Sequence, residues 1–308
     1  MEPVPEKCPG TASEQAGKSE ACAGCPNQKI CSSGQARQPD PSLPAILDNL
    51  ASIKHKIMVM SGKGGVGKST VAAWLAQTLG QRKQTCILDV DLCGPSQARM
   101  MGCPDGARMH PSNTGLSPVL DNEHDVAVVS MAFLLDSTDC PVIWRGDRKT
   151  GMIRQLLRDV DFEGTEILIV DTPPGTSDEH LALVAMFKPC SAILVTTPHE
   201  VAWQDVRKQI DFCRKTGIPV IGLIENMTGG VKCEHCGMLN EDLFPECSNG
   251  MMTIEEYIQT EMGIPYLGNL QFDKHIAYAC DQGLSISAVV GEETRALFES
   301  IVNKLSIE

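Results

Sequence analysis

Gly62-Lys63-Gly64-Gly65-Val66-Gly67-Lys68-Ser69-Thr70 fits the phosphate-loop frame G-x-x-x-x-G-K-[ST] and follows the strand-like run Lys56-Ile-Met-Val-Met60. In that frame the N–H groups of Gly64, Gly65 and Gly67 cradle phosphates at a helix N-terminus. Lys68 brings a point charge to the β- and γ-phosphates, and the Ser69 hydroxyl is an oxygen ligand for magnesium, so the expected substrate is ATP with Mg. Lys63 is a second lysine inside the loop, charge beyond what Lys68 supplies, and its expected target is a nucleotide in a facing subunit.

Two strand ends add carboxylates. Ile167-Leu-Ile-Val-Asp171-Thr-Pro-Pro-Gly175 is an apolar run ending in Asp171, the arrangement that holds a carboxylate on the magnesium side of a phosphate loop. Gly175 is expected to turn its N–H toward the γ-phosphate. In Asp89-Val-Asp91-Leu-Cys-Gly-Pro95, Asp89 closes a strand and Asp91 projects from the next loop, where it orients the attacking water or serves as a turn residue. Asn226, at the end of the run through Ile224, reads as an adenine contact at the sheet's carboxyl edge or as an Asx turn.

The chain holds fourteen cysteines. Its first residues, Met-Glu-Pro-Val-Pro-Glu-Lys, form no secretory signal, so a cytoplasmic protein with reduced thiols is expected, and the cysteines read as ligands or small core residues. Cys86, Cys190, Cys103, Cys140, Cys213 and Cys280 read as core residues. Cys8, Cys22, Cys25 and Cys31 do not, because residues 1–50 are too rich in Pro, Gly, Ser, Ala, Gln and Lys to build a core. Four thiolates complete one tetrahedral zinc site or one cubane cluster, and the spacing C-x13-C-x2-C-x5-C, with only one close pair, leans toward the cluster. Cys233-Glu-His-Cys236 supplies two thiolates. The others come from Cys247 and His235 of the same chain or from Cys233 and Cys236 of a symmetric partner, unless the pair is a redox dithiol.

The elements that must position these groups are legible as short apolar runs alternating with helical stretches. Runs at 57–60, 85–90, 126–131, 167–170, 192–196, 220–224 and 266–270 predict strands, and helices are expected over 68–79, 150–159, 177–186, 201–215, 254–262 and 292–305. Gly80 and Gly217 are expected as helix C-caps. The pattern predicts an α/β P-loop NTPase fold, a mainly parallel sheet covered by helices on both faces. A metal-binding arm over residues 1–50 precedes an ATPase domain over 51–308. A net charge of -13 argues against DNA as a partner. No apolar run reaches the roughly 20 residues of a membrane span, so no stable membrane insertion is expected.

The Gly62-Lys63 loop, Asp89-Val-Asp91-Leu-Cys93-Gly-Pro-Ser96, Trp144-Arg-Gly146, Asp171-Thr-Pro-Pro-Gly-Thr-Ser-Asp178, Glu225-Asn-Met227 and the following C-x-x-C together resemble the Mrp/Nbp branch of the deviant Walker A ATPases. The cysteine arm resembles that of its Nbp-type cytosolic iron-sulfur assembly factors. The resemblance implies a stable 4Fe-4S cluster on the arm, a labile one shared between subunits through Cys233 and Cys236, and slow ATP hydrolysis coupled to cluster loading or transfer. It also implies a second copy or an armless related ATPase as partner, with targeting proteins and apoproteins downstream. Asp147, Phe244-Pro-Glu-Cys247 and Gln271-Phe-Asp273 depart from the family pattern. A MinD- or ParA-like positioning ATPase, with zinc on the thiols, is the competing expectation. It requires a basic amphipathic C-terminal helix, whereas the segment after Gly291 carries Glu292, Glu293, Glu299 and Glu308 against Arg295 and Lys304.

Overall fold

His55–Ser61, apolar from Ile57 to Met60, forms strand β1 at the centre of the sheet, and Thr85–Asp89 forms β2. In chain order there follow β3 (His110–Pro111), β4 (Leu116–Ser117), β5 (Val119–Leu120), β6 (Ala127–Ser130), β7 (Ile167–Asp171), β8 (Ser191–Thr196), β9 (Val220–Thr228), β10 (Gly230–Lys232), β11 (Leu239–Asp242) and β12 (Tyr266–Gln271). The computed structural model describes residues 13–25, 28–33, 40–121, 123–134, 146–232, 235–236, 238–242 and 253–307.

Among the described residues, eight strands make one sheet in the order β12-β9-β8-β1-β7-β2-β6-β5. Every neighbouring pair is parallel except β5 with β6. Residues of β2 and β7 are buried without interruption, as strands covered on both faces must be. The expected α/β P-loop architecture is therefore the one observed. The antiparallel β5 was not anticipated, because two residues, Val119 and Leu120, carry no periodic signal.

Helices form at Lys68–Gly80, Gly146–Asp159, Asp178–Phe187, Glu200–Thr216 and Glu292–Lys304, close to the expected spans. The helix expected over 254–262 is α-helical only at Ile254–Tyr257 and continues as a π turn over Ile258–Met262. Gly217 caps its helix in the left-handed region at φ 67°. Gly80 does not: it is the last helical residue, and a Cβ there would sit 2.4 Å from Val126 Cγ2, so close packing requires the glycine. Cys86 and Cys213 are core residues as expected, and burial pushes the Cys213 thiol up to about 12.

The chain divides into two compact units, Met1–Ala45 and Ile46–Glu308. In the first, a 3-10 turn at Glu20–Cys22 precedes a short helix, Gln28–Ser32. Gly17, at φ 76°, lets the backbone pass so near this helix that a Cβ would meet the Ser32 nitrogen at 2.3 Å.

Candidate nucleotide and thiol sites

The phosphate loop joins the carboxyl end of β1 to the helix Lys68–Gly80, and two of its glycines occupy positive φ, Gly65 at 81° and Gly67 at 84°. Gly67 is required twice over. A Cβ there would stand 2.1 Å from Asn226 Nδ2. Gly62 is required by the backbone of the helix Glu200–Thr216, since a Cβ would lie 2.6 Å from the Asp205 carbonyl carbon. Asn226, buried near the end of β9, donates from Nδ2 to the Val66 carbonyl at 2.9 Å. It thus braces the phosphate loop from β9, two strands away from β1 in the sheet, a contact neither expectation for this residue contained.

Beneath the loop lies a buried charge cluster. Asp89 and Asp171 end adjacent parallel strands and are partners in register, so two carboxyl groups stand side by side with no exposed surface. The Lys68 ammonium pairs with Asp171 Oδ1 and also lies 3.1 Å from Ser69 Oγ. Asp89 accepts the N–H groups of Asp91 at 3.1 Å, Ser96 at 2.9 Å and Gln97 at 3.1 Å. Burial first, then the charge of Asp171, raises the Asp89 pKa. Asp89 thereby fixes both ends of the loop that carries Asp91. Asp91 itself is half-buried on that loop, with its pKa raised by burial.

Gln97, wholly buried, donates from Nε2 to Asp171 Oδ2 at 2.8 Å and to the Ser69 carbonyl at 2.9 Å. The Ser69 hydroxyl and the Asp171 carboxylate are hard oxygen donors on one side of the phosphate loop, a set that suits magnesium. Thr70 follows in the first turn of the helix. Nothing in the local sequence marks Gln97, whose partners lie 28 and 74 residues away.

Lys63 points to its own chain's Asp205, with Nζ 3.1 Å from Oδ2. Asp205 also holds Lys208 at 2.7 Å, and these two ammonium groups, Lys208 first, lower its pKa. The expectation for Gly175 is corrected: its N–H donates to the Ser61 carbonyl at 2.8 Å, fastening the turn after Asp171 to β1. A helix follows that turn, Asp178–Phe187, capped by Ser177 and His180, with Lys149 Nζ 2.8 Å from Glu179 Oε1.

His180 is fully buried, its Nδ1 is 3.0 Å from Ser177 Oγ, and its Nε2 has no hydrogen-bond partner among the described residues. Burial depresses its pKa from 6.5 to about 4. Between those values the unfolded chain binds the proton that the folded chain refuses, so stability is lost as pH falls through that window. Wild type should therefore lose about 1.4 kcal/mol per pH unit relative to His180→Gln below pH 6.5. Paired urea titrations across that range check this; parallel curves would show that His180 is not the group responsible.

The cysteines are only partly within the described residues. Cys8, Cys140, Cys233 and Cys247 lie outside them, as do Trp144 and Arg145. Cys22 is buried, with Sγ 3.1 Å from Ser19 Oγ, and that hydroxyl lowers the thiol pKa. The Cys25 N–H donates to the Cys22 carbonyl at 3.1 Å, and Cys31 lies in the short helix. Cys236 is exposed in the turn joining β10 to β11. Among the described residues no three His, Cys, Asp or Glu side chains are gathered at metal-binding range, and Cys8, the fourth thiol expected with Cys22, Cys25 and Cys31, lies outside them. Cys22, Cys25 and Cys31 in the first unit and Cys236 in the second are free thiols, donors that suit iron or zinc at each place.

Comparison with known proteins agrees with this geometry. Residues 52–306 match the family model described as ParA: NUBPL iron-transfer P-loop NTPase. The chain is 47% identical to the cytosolic Fe-S cluster assembly factor Nubp1 homolog of Drosophila pseudoobscura pseudoobscura, over 98% of this chain and 97% of that protein. It is 48% identical to the corresponding protein of Drosophila willistoni, over 96% of each. Among solved structures it is similar to a nucleotide-binding protein from Archaeoglobus fulgidus in complex with ADP, with a TM-score of 0.66 and 33% identity over 79% of this chain and 92% of that one. The cell division ATPase MinD of Pyrococcus furiosus shares the fold, with a TM-score of 0.59 and 20% identity over 82% and 98% of the two chains.

Proposed function

The chain belongs to the NUBPL iron-transfer P-loop NTPases, and on that footing we propose that it is an ATP-dependent scaffold that assembles 4Fe-4S clusters in the cytosol and passes them to apoproteins. Residues 1–50 are its metal-binding arm and 51–308 its ATPase domain. One observation carries the coupling of the two activities. Asn226 near the end of β9 holds the phosphate loop through Val66, and the same stretch of chain runs on through Gly229 and β10 to the turn bearing Cys236. A shift of the loop on nucleotide binding is thereby delivered to the thiol turn.

In hydrolysis, Lys68 exchanges Asp171 for the β- and γ-phosphates, since one ammonium serves both sites and the incoming phosphates carry more charge. Ser69 and Asp171 would hold magnesium, which neutralises charge on the phosphate oxygens. Asp91 orients the attacking water from the loop that Asp89 fixes at both ends. Gly64, Gly65 and Gly67 direct N–H groups at the phosphates. Lys63, on giving up its pair with Asp205, reaches the nucleotide of a facing subunit, which is a second copy or a related ATPase without the arm.

Cys8, Cys22, Cys25 and Cys31 take one cluster per chain, while Cys233 and Cys236 from each of two chains take another between them. The test is anaerobic reconstitution with iron and sulfide. A brown protein with broad visible absorbance and equal iron and sulfide is expected. A colourless protein holding stoichiometric zinc would replace this reading with a zinc-stabilised ATPase.

A further inference from the structure

The buried amide of Gln97 has one end fixed and the other unsatisfied. Its Nε2 lies 2.8 Å from Asp171 Oδ2 and 2.9 Å from the Ser69 carbonyl, and both partners are acceptors. The amide cannot be flipped, because a flip would set Oε1 against two acceptors. Oε1 is therefore held on the opposite side, buried and without a hydrogen-bond partner among the described residues. A buried acceptor without a donor is unfavourable unless a ligand satisfies it. Asp171 and Ser69, the residues Nε2 holds, are those suited to a magnesium ion, and magnesium usually keeps several of its waters when bound.

We propose that Gln97 is the positioning residue for the metal side of the nucleotide site. Through Nε2 it fixes the Asp171 carboxylate against the Ser69 backbone. Because Asp89 binds the Gln97 N–H and the Asp91 N–H together, the same residue also ties the Asp91 loop to the metal side, so cation binding orders that loop. The inference rests on the reading of this site as a Mg-nucleotide site.

The test is the affinity of the full-length protein for Mn2+ in the presence of ADP, read by electron paramagnetic resonance, alongside ADP affinity without metal. Gln97→Met is expected to weaken Mn2+ binding 10- to 100-fold, as loss of an outer-shell partner does, while metal-free ADP affinity stays within about twofold. Gln97→Asn keeps an amide one methylene too short to span both partners, and it should show the same loss without setting an apolar group against Asp171. In ATPase assays both variants should need correspondingly more Mg2+ for half-activation. Unchanged Mn2+ affinity in both variants, or equal losses of Mn2+ and metal-free ADP binding, would overturn the proposal and leave Gln97 a packing residue. If wild type itself bound no Mn2+ in the presence of ADP, the reading of the site as a Mg-nucleotide site would fall, whatever the variants did.

Discussion

Replacing Lys68 with alanine is expected to lower ATP hydrolysis by about 10²–10³-fold, the usual effect of removing one preorganised charge from a transition state, and to destabilise the nucleotide-free protein as well. The second effect follows from the buried pair. Lys68 is only 7% exposed and Asp171 not at all, and Asp89 stands beside Asp171 in register. Without the ammonium two buried carboxyl groups face each other, and breaking a buried pair from one side costs about 3–5 kcal/mol. The loss should shrink as pH falls, because a proton on Asp89, whose pKa is already raised by burial and by the charge of Asp171, can take the place of the missing cation. The double variant Lys68→Ala/Asp171→Asn separates the two effects. It should recover most of the stability and none of the hydrolysis, as chemical denaturation and ATPase assays will show. Recovery of hydrolysis, or a single variant as stable as wild type, would mean that the Lys68–Asp171 pair does not have the role assigned to it.

The second large effect concerns Cys236. On the proposed sharing, Cys236→Ala removes one thiolate from each of the two chains, and the two Cys233 thiolates that remain do not hold a four-ligand cubane. In a dimer with two arm clusters and one shared cluster, iron should fall by about a third, with the arm clusters retained. Cys22→Ala should give the complementary result, losing the arm clusters and sparing the shared one. If Cys236→Ala left iron and sulfide unchanged, sharing between subunits would be wrong.

The phosphate loop, Asp171 and the parallel sheet were legible in the sequence because each rests on local pattern: a fixed spacing, or an apolar run such as Ile167–Val170 closed by Asp171. What escaped was created by folding. Gln97 meets Asp171 across 74 residues and Asn226 meets Val66 across 160, distances no local period reports. β9 runs on to Thr228, past the expected end at Ile224, because Glu225 and Asn226 are polar yet buried: Tyr266 donates to Glu225 at 2.8 Å and Val66 accepts from Asn226. Gly80 has the look of a C-cap by position alone, and only its approach to Val126 shows why it is glycine. The grouping of the arm thiols rests on composition alone, since Cys8 lies outside the described residues.

The central claim is that nucleotide turnover governs the cluster. Its most direct measurement is the rate at which anaerobically loaded protein transfers radiolabelled iron-sulfur cluster to an apo-acceptor with Mg-ATP, with a non-hydrolysable ATP analogue, and without nucleotide. The account predicts a nucleotide effect on the shared cluster that differs between ATP and the analogue and vanishes in Lys68→Ala/Asp171→Asn. Equal transfer under all three conditions by wild-type protein with verified ATPase activity would contradict it.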